Sequence, residues 1–165
     1  MKVARLIIIS LVIFSAVIMI ISLFIPSHVT ISQAIQINRA TGTVMQQLVD
    51  PEKWKNWYPG ADSLKYYREG GAIKGRFLNS KNDRLIISEK QHDKVTAIYV
   101  SRRRKIPTVW QVISVTDSSS TTVQWHLDFF LRWYPWEKFS SFMFEKVYNP
   151  QLKAGLENLK AYLEK

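Results

Sequence analysis

Apolar spacing along this chain predicts an α+β fold: a curved antiparallel sheet with two short helices and a long C-terminal helix, preceded by one transmembrane helix. Three observations carry that expectation. Residues 6–25 hold no charge, and their only polar side chains are Ser10, Ser15 and Ser22. Between residues 28 and 133, apolar side chains recur mainly at every second position, in runs separated by Gly, Asn, Asp and Ser. From Trp136 onward the spacing lengthens to three and four residues.

The first of these runs is a membrane anchor by length. Twenty residues at about 1.5 Å each make a helix roughly 30 Å long, the thickness of a bilayer's hydrocarbon core. A serine hydroxyl is tolerated there because it can bond back to a carbonyl one turn earlier, and Pro26 stops the helix. A cleaved signal peptide would share the basic start, Lys2 and Arg5. Its apolar stretch is usually about 7 to 15 residues and ends in small side chains, whereas Leu23, Phe24 and Ile25 end this one. The expected organisation is an anchor at 1–26 with a short cytoplasmic end, then one folded domain at 27–165. Lys2 and Arg5 precede the span, and Arg39 is the first basic residue after it. The positive-inside bias therefore predicts a single-pass protein with a cytoplasmic N-terminus and an extracytoplasmic domain.

Composition narrows the chemistry. With no cysteine there is no disulfide, no thiolate nucleophile and no cysteine metal site. The net charge of +10 falls to +8 once Lys2 and Arg5 are set aside. Such a surface attracts anionic lipid or nucleic acid, but solubility is the commoner reason for it, and nucleic acid is not an expected partner.

The elements follow in order. His28 to Asn38 alternates, with Val29, Ile31, Ile35 and Ile37 opposite Thr30, Ser32 and Gln36, which is a half-buried strand. Val44, Leu48 and Val49 suit a short helix; Asp50-Pro51 opens a second by capping and a fixed φ, with Trp54 and Trp57 on one face. Ser63 to Glu69 and Ala72 to Asn79 form a hairpin about Gly70-Gly71, since paired glycines supply the positive φ of a tight turn. Arg84 to Lys90, Val95 to Arg102, Thr108 to Thr116 and Thr121 to Trp133 continue an antiparallel meander, with turns at Asn82-Asp83, His92-Asp93 and Asp117 to Ser120. The last of these strands alternates most clearly: Val123, Trp125, Leu127, Phe129, Leu131 and Trp133 share one face, Gln124, His126, Asp128 and Arg132 the other. One long helix then follows from Trp136, with Phe139, Phe142, Met143, Val147, Leu152, Leu156, Leu159 and Leu163 on its apolar side. Pro150 should kink it and hold Asn149 extended.

Several short motifs sit in this framework. Ile35-Gln36-Ile37-Asn38 ends the first strand, and Trp54-Lys55-Asn56-Trp57-Tyr58-Pro59 follows it. Val123-Gln124-Trp125 leads to Trp133-Tyr134-Pro135-Trp136, and Gly155-Leu156-Glu157-Asn158-Leu159-Lys160 lies near the end. In that order they resemble the helix-grip fold of the START-like, or SRPBCC, superfamily, which includes the polyketide cyclase/dehydrase-like and birch-pollen-allergen-like proteins. The resemblance covers residues 28–165. It departs at Thr41-Gly42, where members commonly carry proline at the start of the first helix.

The resemblance implies a gap between sheet and long helix that holds an apolar ligand in many relatives. Here its expected lining is Trp125, Leu127 and Phe129 from the last strand and Phe142, Met143 and Val147 from the helix. The same residues would equally serve as solid core. Trp54 and Trp57 are expected to staple their helix to the sheet. Arg102, Arg103, Arg104 and Lys105 are candidate contacts for lipid headgroups, or a solvated charged loop.

Catalytic signals are few. His28, His92 and His126 lack metal-ligand spacing, and there is no nucleophile elbow and no glycine-rich phosphate loop. His126 and Asp128, two apart on one strand face, could make a base and its orienter, on a face expected to meet solvent. Glu89 and Glu145 read as surface charges. No catalytic residue, cofactor or metal is expected. The function expected is a membrane-anchored module that binds a hydrophobic small molecule or lipid; the alternatives are a cyclase- or hydrolase-type enzyme, or a filled-core interaction or structural protein at the membrane.

Overall fold

The computed structural model describes residues 2–61, 65–78, 83–101, 104–114 and 120–165. Helix α1, Lys2–Leu23, carries the uncharged run; at about 1.5 Å per residue its 22 residues reach roughly 33 Å. It is long and apolar enough to cross a membrane. Phe24 N and Ile25 N donate to Ile21 O and Ser22 O in the final turns before Pro26, which has no N–H to continue the pattern.

Seven strands form one antiparallel sheet in the order β1-β7-β6-β5-β4-β3-β2. They are β1 His28–Ile37, β2 Tyr66–Glu69, β3 Ala72–Phe77, β4 Arg84–Lys90, β5 Lys94–Ser101, β6 Arg104–Ser114 and β7 Thr121–Phe130. The meander brings the last strand back beside the first, with His28 opposite Phe130 and Ile37 opposite Thr121. Alternation decides the faces as expected: Ile31 and Ile37 are buried, while Thr30, Ser32 and Gln36 are exposed. The β2–β3 turn is the glycine pair, with φ of 60° at Gly70 and 82° at Gly71. Ser63, Asn79, Asn82, Arg102, Arg103, Thr116 and the turn residues 117–119 lie outside the described residues.

Helix α2, Thr41–Val49, and one 3-10 turn, Lys53–Asn56, supply the two short helices. Asp50 Oδ1 accepts from Glu52 N at 2.9 Å, the local bond that opens the second. Trp54 and Trp57 donate through Nε1 to Leu48 O and Gln47 O at 3.0 and 3.4 Å, and both rings are buried. They do staple this segment to the sheet.

Three expectations are corrected. The first concerns Arg104 and Lys105, which belong to β6 and not to a loop, pairing with Ser101 and Val100. Pro107 is compatible with this longer strand because β6 meets β7 only from Thr108 opposite Leu127, so the proline stands where the strand has a neighbour on one side. The second concerns β7, which ends at Phe130, leaving Trp133 exposed. Arg132 N donates to Glu137 Oε2 at 2.8 Å, and Pro135 starts helix α3, Pro135–Ser140, which together turn the chain off the sheet.

The third concerns the long helix. It is interrupted by a 3-10 turn at Ser141–Met143, restarts as α4, Phe144–Leu163, and runs unbroken through Pro150. Pro150 lies on the exposed side, and Gln33 Nε2 donates to Asn149 Oδ1 at 2.5 Å as α4 crosses β1. Tertiary packing outweighs the local preference of a residue before proline.

The core is a block of rings. Trp54, Trp57, Tyr58, Trp110 and Trp125 are all buried, and Trp110 and Trp125 lie 5.6 Å apart between centroids. Trp57 and Tyr58 meet Trp125 at 6.2 and 5.3 Å. Trp125 is fixed further by donating through Nε1 to Thr108 Oγ1 at 2.7 Å. Helix α4 rests on this block at Gly155, where an added Cβ would overlap Trp125 Cζ3 and stand 3.1 Å from Pro59 Cδ.

Gly155→Ala should therefore destabilise the protein by about 1 to 3 kcal/mol despite alanine's better helix propensity. Gly42→Ala, on an exposed helical position with nothing within 4 Å, should stabilise it by about 0.5 to 1 kcal/mol. Denaturant midpoints of the two variants measure the difference; equal behaviour would mean that α4 does not sit hard on Trp125.

Candidate functional site

The six residues expected to line one gap are not brought together. Trp125, Leu127 and Phe129 lie buried on the inner face of β7, whereas Phe142, Met143 and Val147 are exposed at 68%, 55% and 59%. The 3-10 turn explains the difference, because it changes the helical phase just before α4. Phe144 and Tyr148 face the strand instead, with ring centroids 4.6 and 4.9 Å from Phe129. Behind them the ring block occupies the middle of the gap.

Open space is found where β6 and β7 part. Strand β7 stays paired with β1 to Phe130, while the first residues of β6 stay paired with β5. A cleft of about 550 Å³ lies between them. Its apolar lining is Ile106, Phe129, Phe130 and Leu131; its charged lining is Arg104, Lys105, Asp128, Arg132 and Glu137. Arg104 Nη2 stands 3.6 Å from Glu137 Oε1, and the other Glu137 oxygen holds Arg132 N, so this carboxylate is engaged on both sides. Of the basic run, Arg104 and Lys105 are thus at the cleft, and Arg102 and Arg103 lie outside the described residues. Ile106, Phe130, Leu131, Arg132 and Glu137 were not singled out by sequence. The signal for them is Pro107, which marks the stretch of β6 that β7 does not pair.

Polar groups flank the cleft on both faces. On the inner side, burial and then the hydrogen bond to Asp83 push the Tyr99 hydroxyl up to about 12; Tyr99 Oη donates to Asp83 Oδ2 at 2.8 Å. Burial raises Tyr148 also, against the opposing pull of Arg104. On the outer side Asp128 gathers three partners: Thr30 Oγ1 donates to Oδ1 at 2.7 Å, His28 Nε2 lies 3.1 Å from Oδ1, and His126 Nε2 lies 3.7 Å from Oδ2. His28 and Thr30 are exposed on this face, while His126 and Asp128 are half-buried; burial lowers the His126 pKa, with Asp128 pulling it back and Lys94 adding to the fall. The group lies on the sheet's outer face, away from the ring block. Among the described residues no cluster of three or more His, Asp or Glu could hold a metal ion.

The family model described as "polyketide cyclase / dehydrase and lipid transport" matches residues 28–164. The chain belongs to that family. Within the polyketide cyclase and lipid transport family's fold it is similar to an uncharacterised protein from Bacillus thuringiensis, at 15% identity and a TM-score of 0.62 over 83% of this chain and 100% of that one. A START superfamily protein from Mycobacterium smegmatis is 15% identical, with a TM-score of 0.60 over 82% and 97%. Norcoclaurine synthase from Thalictrum flavum, solved with a transition-state analogue, is 10% identical with a TM-score of 0.59 over 82% and 94%. At these identities the likeness establishes the START-like fold. No curated protein sequence matches the chain.

His126 makes a pH dependence expected. Native His126 holds its proton less tightly than the unfolded chain, so the unfolded state binds more protons once pH drops below about 6.5. The associated stability is complete above that value and is lost as pH falls through the lowered native pKa. Melting temperature should decline from about pH 7 to about pH 5, and His126→Gln should flatten that slope. An unchanged slope in the variant would place the dependence on other groups.

Proposed function

We propose that this protein is a single-pass membrane protein, anchored by residues 6–25, whose START-like domain at residues 27–165 binds an amphiphilic small molecule or lipid with an anionic head. The site is the cleft between β6 and β7. The observation that carries this reading is the lining of that cleft, where an aromatic and aliphatic wall of Ile106, Phe129, Phe130 and Leu131 stands beside Arg104, Lys105 and Arg132. Five charged and four apolar side chains line the cleft, a mixture that suits an amphiphile better than a wholly apolar ligand. Lipid transport is among the activities named in the family's description. The cleft also lies at the end of the domain from which α1 departs, since Leu131 N donates to Ser27 O at 2.7 Å. A ligand could then pass between bilayer and cleft without crossing water.

Orientation follows from Lys2 and Arg5 ahead of the span. A periplasmic-type reporter fused after Lys165 should be active only when exported, and a fusion active in the cytoplasm would reverse the assignment.

The binding itself is tested with the full chain in detergent, titrated with a short-chain phosphatidylglycerol and with the matching phosphatidylcholine. The anionic lipid should bind more tightly. Removing two basic side chains at about 1 kcal/mol each should weaken it roughly 30-fold in Arg104→Ala/Lys105→Ala, with little change for the zwitterionic lipid. Equal affinity for the two lipids, or no loss in the variant, would remove the cleft as the headgroup site.

A further inference from the structure

The segment between β7 and α4 exposes an unusual amount of apolar surface. Trp133, Trp136, Phe142 and Met143 are 61%, 68%, 68% and 55% exposed, and Phe139 is 38% exposed. Its rings form two groups, brought to neighbouring positions by the i, i+3 spacing of Trp136 and Phe139 on α3. Trp133 lies 4.8 Å from Tyr134, Tyr134 is stacked on Trp136 at 4.9 Å, and Phe139 lies 6.3 Å from Phe142. Contiguous aromatic surface of this kind marks an interaction site and is not an ordinary feature of a soluble face.

Its position says what covers it. Helix α3 is in contact with α1. Along the end of the span, Ile18, Ser22 and Ile25 are the residues drawn away from solvent, at the i, i+4, i+7 spacing of one helical face. Lys138 pins the two segments together, its Nζ donating to Ile25 O and to Ser27 Oγ at 2.6 Å each, and it is itself buried. Ser22 lies roughly 4.5 Å and Ile18 roughly 10 Å short of Ile25 along the axis, by the helical rise. Helix α3 therefore stands beside the last turns of the span and not above them. A bilayer deep enough to cover α1 as far as Ile25 must also meet α3.

We propose that Trp133, Trp136, Phe139, Phe142 and Met143 form a collar that seats the domain in the interfacial layer of the bilayer, around the exit of α1. The inference rests on the anchor reading and adds a second, independent attachment. Tryptophan and tyrosine favour this layer because their rings are apolar and their N–H or O–H groups stay wet. Of the two nearby carboxylates, Glu137 is occupied by Arg104 and Arg132 N, and Glu145, exposed beside Phe142, has to stay on the aqueous side of the collar. Lys105, Arg132 and Lys146 are exposed cations able to reach phosphates. Seated in this way, the cleft opens at headgroup level.

The six tryptophans make the test specific. Trp54, Trp57, Trp110 and Trp125 are buried, so Trp133 and Trp136 are the rings that a quencher can reach. The full chain is reconstituted in phosphatidylcholine/phosphatidylglycerol vesicles containing lipid brominated near the head of its acyl chains, and separately exposed to aqueous iodide. Brominated lipid should quench the wild type, iodide should do so weakly, and Trp133→Phe/Trp136→Phe should lose the lipid quenching while keeping its thermal melt. Strong iodide quenching with no effect of brominated lipid would put the collar in water and overturn the inference. So would lipid quenching that survives the double variant, or protection from both quenchers with cross-linked dimers, which would assign the collar to a second copy. Carbonate extraction of the same vesicles separates the two readings. A pelleted protein with a wet collar fails the collar alone, while release of the wild type to the supernatant fails the anchor and the collar together.

Discussion

The contact of α4 with Trp125 at Gly155 is the constraint on which the rest of the domain depends. Trp125 is at the centre of the ring block and belongs to β7, the strand hydrogen-bonded to both β1 and β6. Only a residue without a side chain lets the helix come down onto that ring, since a Cβ at position 155 would overlap it. Close approach there lets Leu152, Leu156, Leu159 and Leu163 bury along the same helical face. Each such side chain contributes about 1.5 to 3 kcal/mol on burial, so several together rival the net stability of a domain.

Filling the middle of the grip with rings leaves the cleft at its end. A START-like fold with a hollow centre could hold its ligand between sheet and helix, but here Trp54, Trp57, Trp110 and Trp125 are packed in that space, tilted or edge to face. Phe129, Phe144 and Tyr148 then form a second, smaller cluster beyond them. The cleft begins at Phe129, which belongs to both the inner packing and the cleft wall. A ligand held against it would touch the far side of a residue that α4 already grips, and would couple to the helix without entering the core.

Much of this architecture was legible because period and face are local properties. The alternation of Val123, Trp125, Leu127 and Phe129 decides burial on β7, the Gly70-Gly71 pair decides a turn, and twenty uncharged residues decide a long apolar helix. The family resemblance rested on Trp54, Trp57 and the Gly155-Leu156 close, all of which prove to be parts of one packed block. What sequence could not supply were features set by contacts between distant segments. The 3-10 turn before Phe144 has no local signal in the sequence, and across it Phe142, Met143 and Val147 face outward while Phe144 and Tyr148 turn in. The parting of β6 and β7 depends on which strand each one follows, and only Pro107 hints at it. Asn149 stays helical because Gln33, far away in sequence, holds it there.

The same distant contacts tie the cleft to the anchor. Lys138 bonds the exit of α1 from the first turns of α3, and Glu137, its neighbour in sequence, bonds Arg104 and Arg132 N on the cleft. The two side chains leave one short helix in different directions, one toward the span and one toward the cleft. A tilt of α1 in the bilayer would act on α3 through Lys138 and reach Arg104 through Glu137. No long pathway is needed, because the two attachments are adjacent residues on a six-residue helix. The aromatic residues of that helix and its flanks stay exposed, while Lys138 and Glu137 join the end of α1 to the edge of the cleft.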